Sequence, residues 1–178
     1  MERSELIKAC QQNDLKAQME VYLMYKDMLY NVSYRIIKNE YDAQDAVHDA
    51  FIKAFQNISK LENDLNLGPW LKRIVVNCSL DFLRKRKKLA WLQDASRVPE
   101  KPEEQDIAET MTLKFDDVKK AIDTLDDKYR IIIVLYLIED YSHKEIAQEL
   151  GLKESTVRNQ YVRGKRLLKL QLQNSMVV

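Results

Sequence analysis

Two stretches of this chain carry the residues best suited to chemistry, and that chemistry is binding rather than bond-breaking. Arg84-Lys85-Arg86-Lys87-Lys88 is an uninterrupted basic run, with Lys72 and Arg73 upstream and Trp70, Phe82 and Trp91 nearby. Cations at this density neutralise a phosphate backbone, and aromatic faces stack on bases, a combination suited to unwound nucleic acid. A helix C-terminus also attracts cations to its dipole, but an unbroken basic run exceeds what a dipole needs. Phe82 itself reads as core. Further along, Ser155, Arg158, Asn159, Arg163 and Arg166 recur at helical spacing opposite Val157, Tyr161, Gly164 and Leu168. Hydrogen-bonding groups for base edges beside cations for phosphates are what a DNA-reading helix presents, although many charged helix faces are only solvated. Catalysis finds less support. Asp45, His48 and Asp49 share a helical face and could bind a metal, but His48 and His143 are the only histidines and lack companion ligands. With no nucleophile–base constellation, the expectation is no enzyme, no cofactor and no small-molecule substrate.

The elements that must position these residues read as helices. Ser142-His143-Lys144-Glu145 has the pattern of a capping box, in which serine and glutamate satisfy each other's backbone N–H groups. Ile146, Ala147 and Leu150 follow as a short apolar face, then Gly151 stands where a helix stop needs a left-handed residue. A second helix is expected from about Ser155, so Ala147, Gly151 and Val157 take the spacing of a helix-turn-helix, with small Ala147 allowing close approach. Before it, Val118, Ala121, Ile122 and Leu125 form a stripe, and Tyr129 to Ile138 is nearly all apolar, a buried helix by its length and neighbours. The first half repeats the pattern in three stripes: Tyr22, Tyr25, Leu29, Val32, Ile36; then Val47, Ala50, Phe51, Ala54, Phe55, Ile58; then Leu71, Val75, Cys78, Phe82. Steps of three and four put each set on one face, and core packing is their ordinary meaning. Breaks fall near Asn39–Asp42 and Asn63–Pro69, with Pro69 suited to a first helical turn.

Composition agrees. With 3 Gly and 3 Pro in 178 residues, there are too few turn formers for a sandwich or barrel, and no glycine cluster for a phosphate loop. Around Gln93 to Asp117 the sequence turns acidic, contains Pro99 and Pro102, and has few apolar residues, as a flexible linker would. The expected architecture is all-α: two small helical domains, 1–92 and 113–178, joined by a flexible acidic linker at 93–112, the second domain containing the helix-turn-helix. Cys10 and Cys78 read as buried thiols. No apolar run approaches a bilayer span and the N-terminus opens polar, so a cytoplasmic protein is expected.

These motifs resemble the bacterial RNA polymerase sigma factors of the sigma-70 family, in the extracytoplasmic-function group. Tyr41-Asp42-Ala43-Gln44-Asp45-Ala46-Val47-His48-Asp49-Ala50-Phe51 is similar to the family's polymerase-binding helix, with His48 in place of the common Gln. Trp70-Leu71, Ile74, Asn77, Asp81 and Arg84 match the promoter-melting helix, and Leu67 stands where the family often has Phe. Glu145-Ile146-Ala147 and Thr156-Val157-Arg158 match the C-terminal domain, with Lys153 where Ser or Thr usually starts the recognition helix. The resemblance implies a chain that directs core RNA polymerase to promoters. Asp42, Asp45, His48, Asp49 and Phe51 would meet the polymerase clamp helices. Asn63, Leu67, Trp70, Lys72, Arg73, Asn77, Asp81, Arg84, Lys85, Arg86, Lys87 and Lys88 would form the surface for single-stranded −10 DNA. Ser155, Thr156, Arg158, Asn159, Arg163 and Arg166 would read the double-stranded −35 element while the domain rests on the polymerase flap. An anti-sigma factor is the further partner it implies. A conventional helix-turn-helix repressor or activator would explain the second domain equally well, but neither the basic run nor the Asp45–Phe51 pattern.

The net charge of +1 is the sum of unlike segments. Trp70 to Ala90 has seven basic residues against one acidic, and Lys153 to Leu170 has six against one. Two cationic faces suit a reader of two DNA elements.

Overall fold

The computed structural model describes residues 3–61, 66–86 and 115–175. Among them every regular element is helical, and the chain divides into two compact units. The expected domain limits at 92 and 113 and the linker at 93–112 lie outside the described residues, as do Asn63, Lys87 and Lys88.

The first unit contains α1 (Arg3–Gln11), α2 (Leu15–Ile37), α3 (Glu40–Asn57), a 3₁₀ turn at Ile58–Lys60 and α4 (Leu67–Lys85). Local chemistry sets the starts. The Asp14 carboxylate accepts from Lys16 and Ala17 N–H at 2.8 and 3.1 Å, capping α2. Lys38 ends α2 in the left-handed conformation, and Asn39 then caps α3 by accepting from Asp42 N–H. Pro69 falls in the first turn of α4, where it gives up no helical hydrogen bond. The three long helices pack on one another through Val21, Leu29, Val32, Ile36, Ala43, Ala46, Val47, Ala50, Ala54, Leu71, Val75 and Leu80, all buried. Small alanines on α3 allow close packing. Polar contact also occurs inside: Ser33 and Ser79 share a hydrogen bond at 2.9 Å between α2 and α4, while Ser79 Oγ also lies 2.7 Å from the Val75 carbonyl.

The second unit contains α5 (Phe115–Asp123), α6 (Asp127–Ile133) with a π-helical turn at Val134–Ile138, α7 (His143–Leu150) and α8 (Glu154–Ser175). The apolar run predicted as a buried helix is helical, and Ile131 to Leu135 are almost fully buried, but Leu137 and Ile138 at its end are exposed. Its end widens, however: Glu139 N–H reaches back five residues to the Val134 carbonyl at 3.0 Å. Asp140, in the left-handed region, then turns the chain toward α7. At Gly164 α8 comes close to α6: a Cβ there would lie 3.1 Å from both Ile133 Cγ1 and Tyr129 Cβ. Ala147, expected to let α7 and α8 approach closely, is buried on α7, and Gly164 has no room for a side chain against α6.

Candidate nucleic-acid interfaces

The helix-turn-helix forms as its local signals require. Glu145 N–H donates to Ser142 Oγ at 3.2 Å, and Ser142 N–H donates to Glu145 Oε2 at 2.9 Å, closing the capping box. Gly151 sits at φ 67°, and Leu152 N–H reaches the Ala147 carbonyl at 2.9 Å, the long bond of a Schellman stop. Three residues, Gly151 to Lys153, then lead into α8, which starts one residue before the expected Ser155. Lys153 stands at the cap position. Its carbonyl accepts from Thr156 and Val157, but its side chain has no oxygen for the free N–H groups.

Val157, Gly164 and Leu168 are buried on the inner face of α8, and Tyr161 is partly buried. Opposite them Ser155, Arg158 and Arg166 are exposed and Asn159 is partly buried, so these four present an accessible polar face. Thr156 and Arg163 sit on its flank, partly buried. Arg158 is held by Glu154 on the preceding turn at 2.6 Å. Beneath this end of α8 the His143 ring stacks on Tyr136, with centroids 4.2 Å apart and planes at 6°, and Tyr161 closes against both. Burial, and then the charge of Arg158, hold the His143 imidazole below its ordinary pKa, with Glu154 opposing.

On α4, Trp70, Arg73, Asn77, Asp81 and Arg84 follow one another at steps of three and four, so they share a face. Arg73 and Arg84 are exposed, and Trp70, Asn77 and Asp81 are partly buried. Arg84 donates to Asp81 at 2.6 Å, and Lys53 of α3 approaches the same carboxylate at 4.0 Å. The Asn77 amide oxygen is buried with no hydrogen-bond partner among the described residues. Lys72 is off this face, on the side that carries buried Ser79 and Leu83. Leu67, expected at the DNA surface, is 1% exposed and belongs to the core. An apolar side chain at the start of α4 is removed from water more favourably than it is presented to it.

The expected polymerase-facing helix also divides. Asp45, His48 and Asp49 are exposed on one face of α3. Phe51 is buried against Tyr22 and Phe55. Asp42 is buried as well, and its carboxylate accepts from Arg86 Nη1 at 2.9 Å, while that guanidinium also lies over the Phe82 ring at 4.7 Å. Asp42 and Phe51 therefore hold the unit together instead of offering surface to a partner. Nothing in the local sequence pairs Asp42 with a residue 44 positions away. The Glu154–Arg158 pair, by contrast, follows from i, i+4 spacing and was open to detection. Among the described residues no group of three or more His, Cys, Asp or Glu side chains is arranged to hold a metal, and no helix is long and apolar enough to cross a membrane.

Comparison with known proteins covers both units. The chain matches the family Sigma-70 region 2 over residues 21–89 and the family Sigma-70, region 4 over residues 115–168. Two such units in this order define a DNA-binding transcription initiation factor of the sigma-70 class. The chain is 30% identical over 178 residues to the ECF RNA polymerase sigma factor SigW of Bacillus subtilis, covering 94% of this chain and 95% of that protein. It is 34% identical over 154 residues to the ECF RNA polymerase sigma factor SigE of Mycolicibacterium smegmatis, covering 84% of this chain and 59% of that longer protein. In fold it is similar to the sigma factor RpoE solved with the anti-sigma factor NepR from Bartonella quintana, with a TM-score of 0.54 and 24% identity over 89% of this chain and 98% of the other. It is also similar to CnrH solved with the cytosolic domain of CnrY, with a TM-score of 0.53 and 22% identity over 95% and 96% of the two chains. The chain belongs to the extracytoplasmic-function RNA polymerase sigma factors.

Proposed function

We propose that this sigma factor joins core RNA polymerase and directs promoter-specific initiation through two separate DNA contacts. The observation that carries this reading is the pair of accessible polar faces, one on each unit: Trp70 to Arg84 on α4, and Ser155 to Arg166 on α8. The recognition helix reads the double-stranded −35 element with Ser155, Arg158, Asn159 and Arg166 on its face and Thr156 and Arg163 on its flank. The α4 face and the basic run after it bind the single strand of the −10 element. Arg73, Arg84, Lys85, Lys87 and Lys88 follow its phosphates, and Trp70 offers a ring to an unstacked base. Arg86, in the middle of that run, is tied to Asp42. Melting is favoured when extruded bases bind better than the duplex pairs, and unstacking costs only a few kcal/mol. The reaction therefore requires no nucleotide hydrolysis, cofactor or catalytic group from this chain. Asp45, His48 and Asp49 face the polymerase clamp helices, and the second unit rests on the flap. The domain limits follow the same division, 1–92 and 113–178 with the acidic 93–112 segment between them. The protein works in the cytoplasm, where polymerase and promoter are. An anti-sigma factor regulates it, as the complex of RpoE with NepR supports by analogy.

The test is reconstitution with core polymerase on a library of promoter fragments, read by run-off transcription. Defined start sites that depend on the added chain are expected. Failure to co-purify with core, together with the absence of any specific start, would refute the reading.

A further inference from the structure

Glu154 and Arg158 sit one turn apart at the start of α8. Arg158 Nε and Nη2 both donate to Glu154 Oε1, at 3.1 and 2.6 Å. The pair is open to solvent, with side chains 63% and 41% exposed for Arg158 and Glu154. A guanidinium carries five N–H donors in a fixed fork. The carboxylate takes the Nε–Nη2 edge, which leaves the Nη1–Nη2 edge of a side chain that is 63% exposed. That remaining edge is what a bidentate contact to guanine O6 and N7 requires. The nearby carboxylate of Glu145 is already committed, accepting from Ser142 N–H and Oγ at 2.9 and 2.8 Å. Glu154 is therefore the acid that holds this arginine. The hydrogen bond from Arg158 in turn keeps the Glu154 carboxyl below its ordinary pKa, so it stays charged. A long arginine side chain loses much rotamer freedom when it binds a base, and a partner that orients it beforehand reduces that loss.

We propose that Glu154 is a specificity-determining residue of the recognition helix, positioning the Arg158 guanidinium so that it reads a guanine in the −35 element. This rests on the assignment of α8 as the −35 reader. Glu154 makes no base contact of its own. It repels phosphate, so it does not add affinity for DNA in general. Its effect is to narrow the orientations of Arg158 to those that meet a guanine edge.

The experiment uses the full chain assembled with core polymerase and promoter duplexes randomised across the −35 region. Wild type is expected to select guanine at one position. Arg158→Ala should flatten selection there by about 5- to 150-fold, the range of one bidentate base contact. Glu154→Ala and Glu154→Gln should lower guanine preference at the same position at least threefold. Their affinity for a scrambled duplex should be equal to or above wild type, with an unchanged salt slope. Glu154 variants that weaken all duplexes alike would show a structural role and overturn the proposal. So would unchanged guanine preference in both variants. An Arg158→Ala effect on the salt slope alone, with no position flattened, would make Arg158 a phosphate contact and overturn it too. Wild type that selects no sequence would instead overturn the reading of α8 itself.

Discussion

Replacing Asp42 and replacing Asp45 with Asp49 should have opposite consequences, although all three are acids on one helix. Asp42 is buried, its side chain 8% exposed, and it pairs with an Arg86 side chain that is 52% exposed. Water screens one end of the pair, so the interaction is worth about 1 kcal/mol, the upper part of the range for exposed pairs. Asp42 also lies in the first turn of α3, where an acid gains about 0.3–1 kcal/mol from the helix dipole. Asp42→Ala should therefore cost about 1–2 kcal/mol and lower the melting midpoint of this unit by roughly 5–15 °C. Arg86→Ala should cost at least as much, because it strands a buried carboxylate without its partner. Asp45→Ala/Asp49→Ala removes only exposed groups, so its stability should stay within about 0.5 kcal/mol of wild type. Its affinity for core polymerase should fall at least tenfold. The assay has two parts: thermal unfolding of the full chain by Trp70 fluorescence in a Trp91→Phe background, and titration of labelled protein with core polymerase. A double replacement of Asp42 and Arg86 no worse than the harsher single one would confirm their coupling. An Asp42→Ala chain that melts like wild type but no longer binds core would refute the reasoning, since Asp42 would then be a surface contact.

Three further outcomes are expected. Because His143 is held below its ordinary pKa by burial first and Arg158 next, the unfolded chain takes up a proton that the folded second unit resists. Stability is thus complete above about pH 6.5 and declines as pH falls toward the lower folded value. Denaturant melts across this window should show the decline, and His143→Phe, which keeps the ring stack, should abolish it; an identical slope in both proteins would place the titration elsewhere. Gly164→Ala gains about 1 kcal/mol of helix propensity but crowds Ile133 Cγ1 and Tyr129 Cβ, neither the tip of a flexible side chain. Overpacking costs about 1–3 kcal/mol, so a net loss near 1 kcal/mol is expected, and a stabilised second unit in urea melts would contradict it. Leu67→Ala should cost about 2–5 kcal/mol of stability in the first unit as a core truncation. A normal melting midpoint with lost promoter opening, scored by permanganate footprinting, would move Leu67 to the DNA surface.

The sequence by itself determined what depends on neighbours three or four residues apart. Ser142 and Glu145 cap α7, Gly151 ends it in the left-handed region, and Asp81 to Arg84 and Glu154 to Arg158 are spaced to meet along a helix. Apolar steps of three and four marked the helices, and the scarcity of glycine and proline excluded sheets. Each of these follows from one helical repeat or from the backbone freedom of one residue, so no distant partner is needed. The tertiary structure alone decided which members of a motif face outward. Asp42 and Asp45 are both acids on α3, yet only Asp45 reaches solvent, because α4 ends where Arg86 can cover Asp42. Phe51 matched a family position and Leu67 stands at one where Phe is common, but both are buried in the first unit. Gly164 has no room for a side chain because Tyr129 and Ile133, more than thirty positions earlier, face it from α6. Side-chain identity sets what a residue can do. Whether it does so toward a partner or toward its own core is settled by which distant helix closes over it.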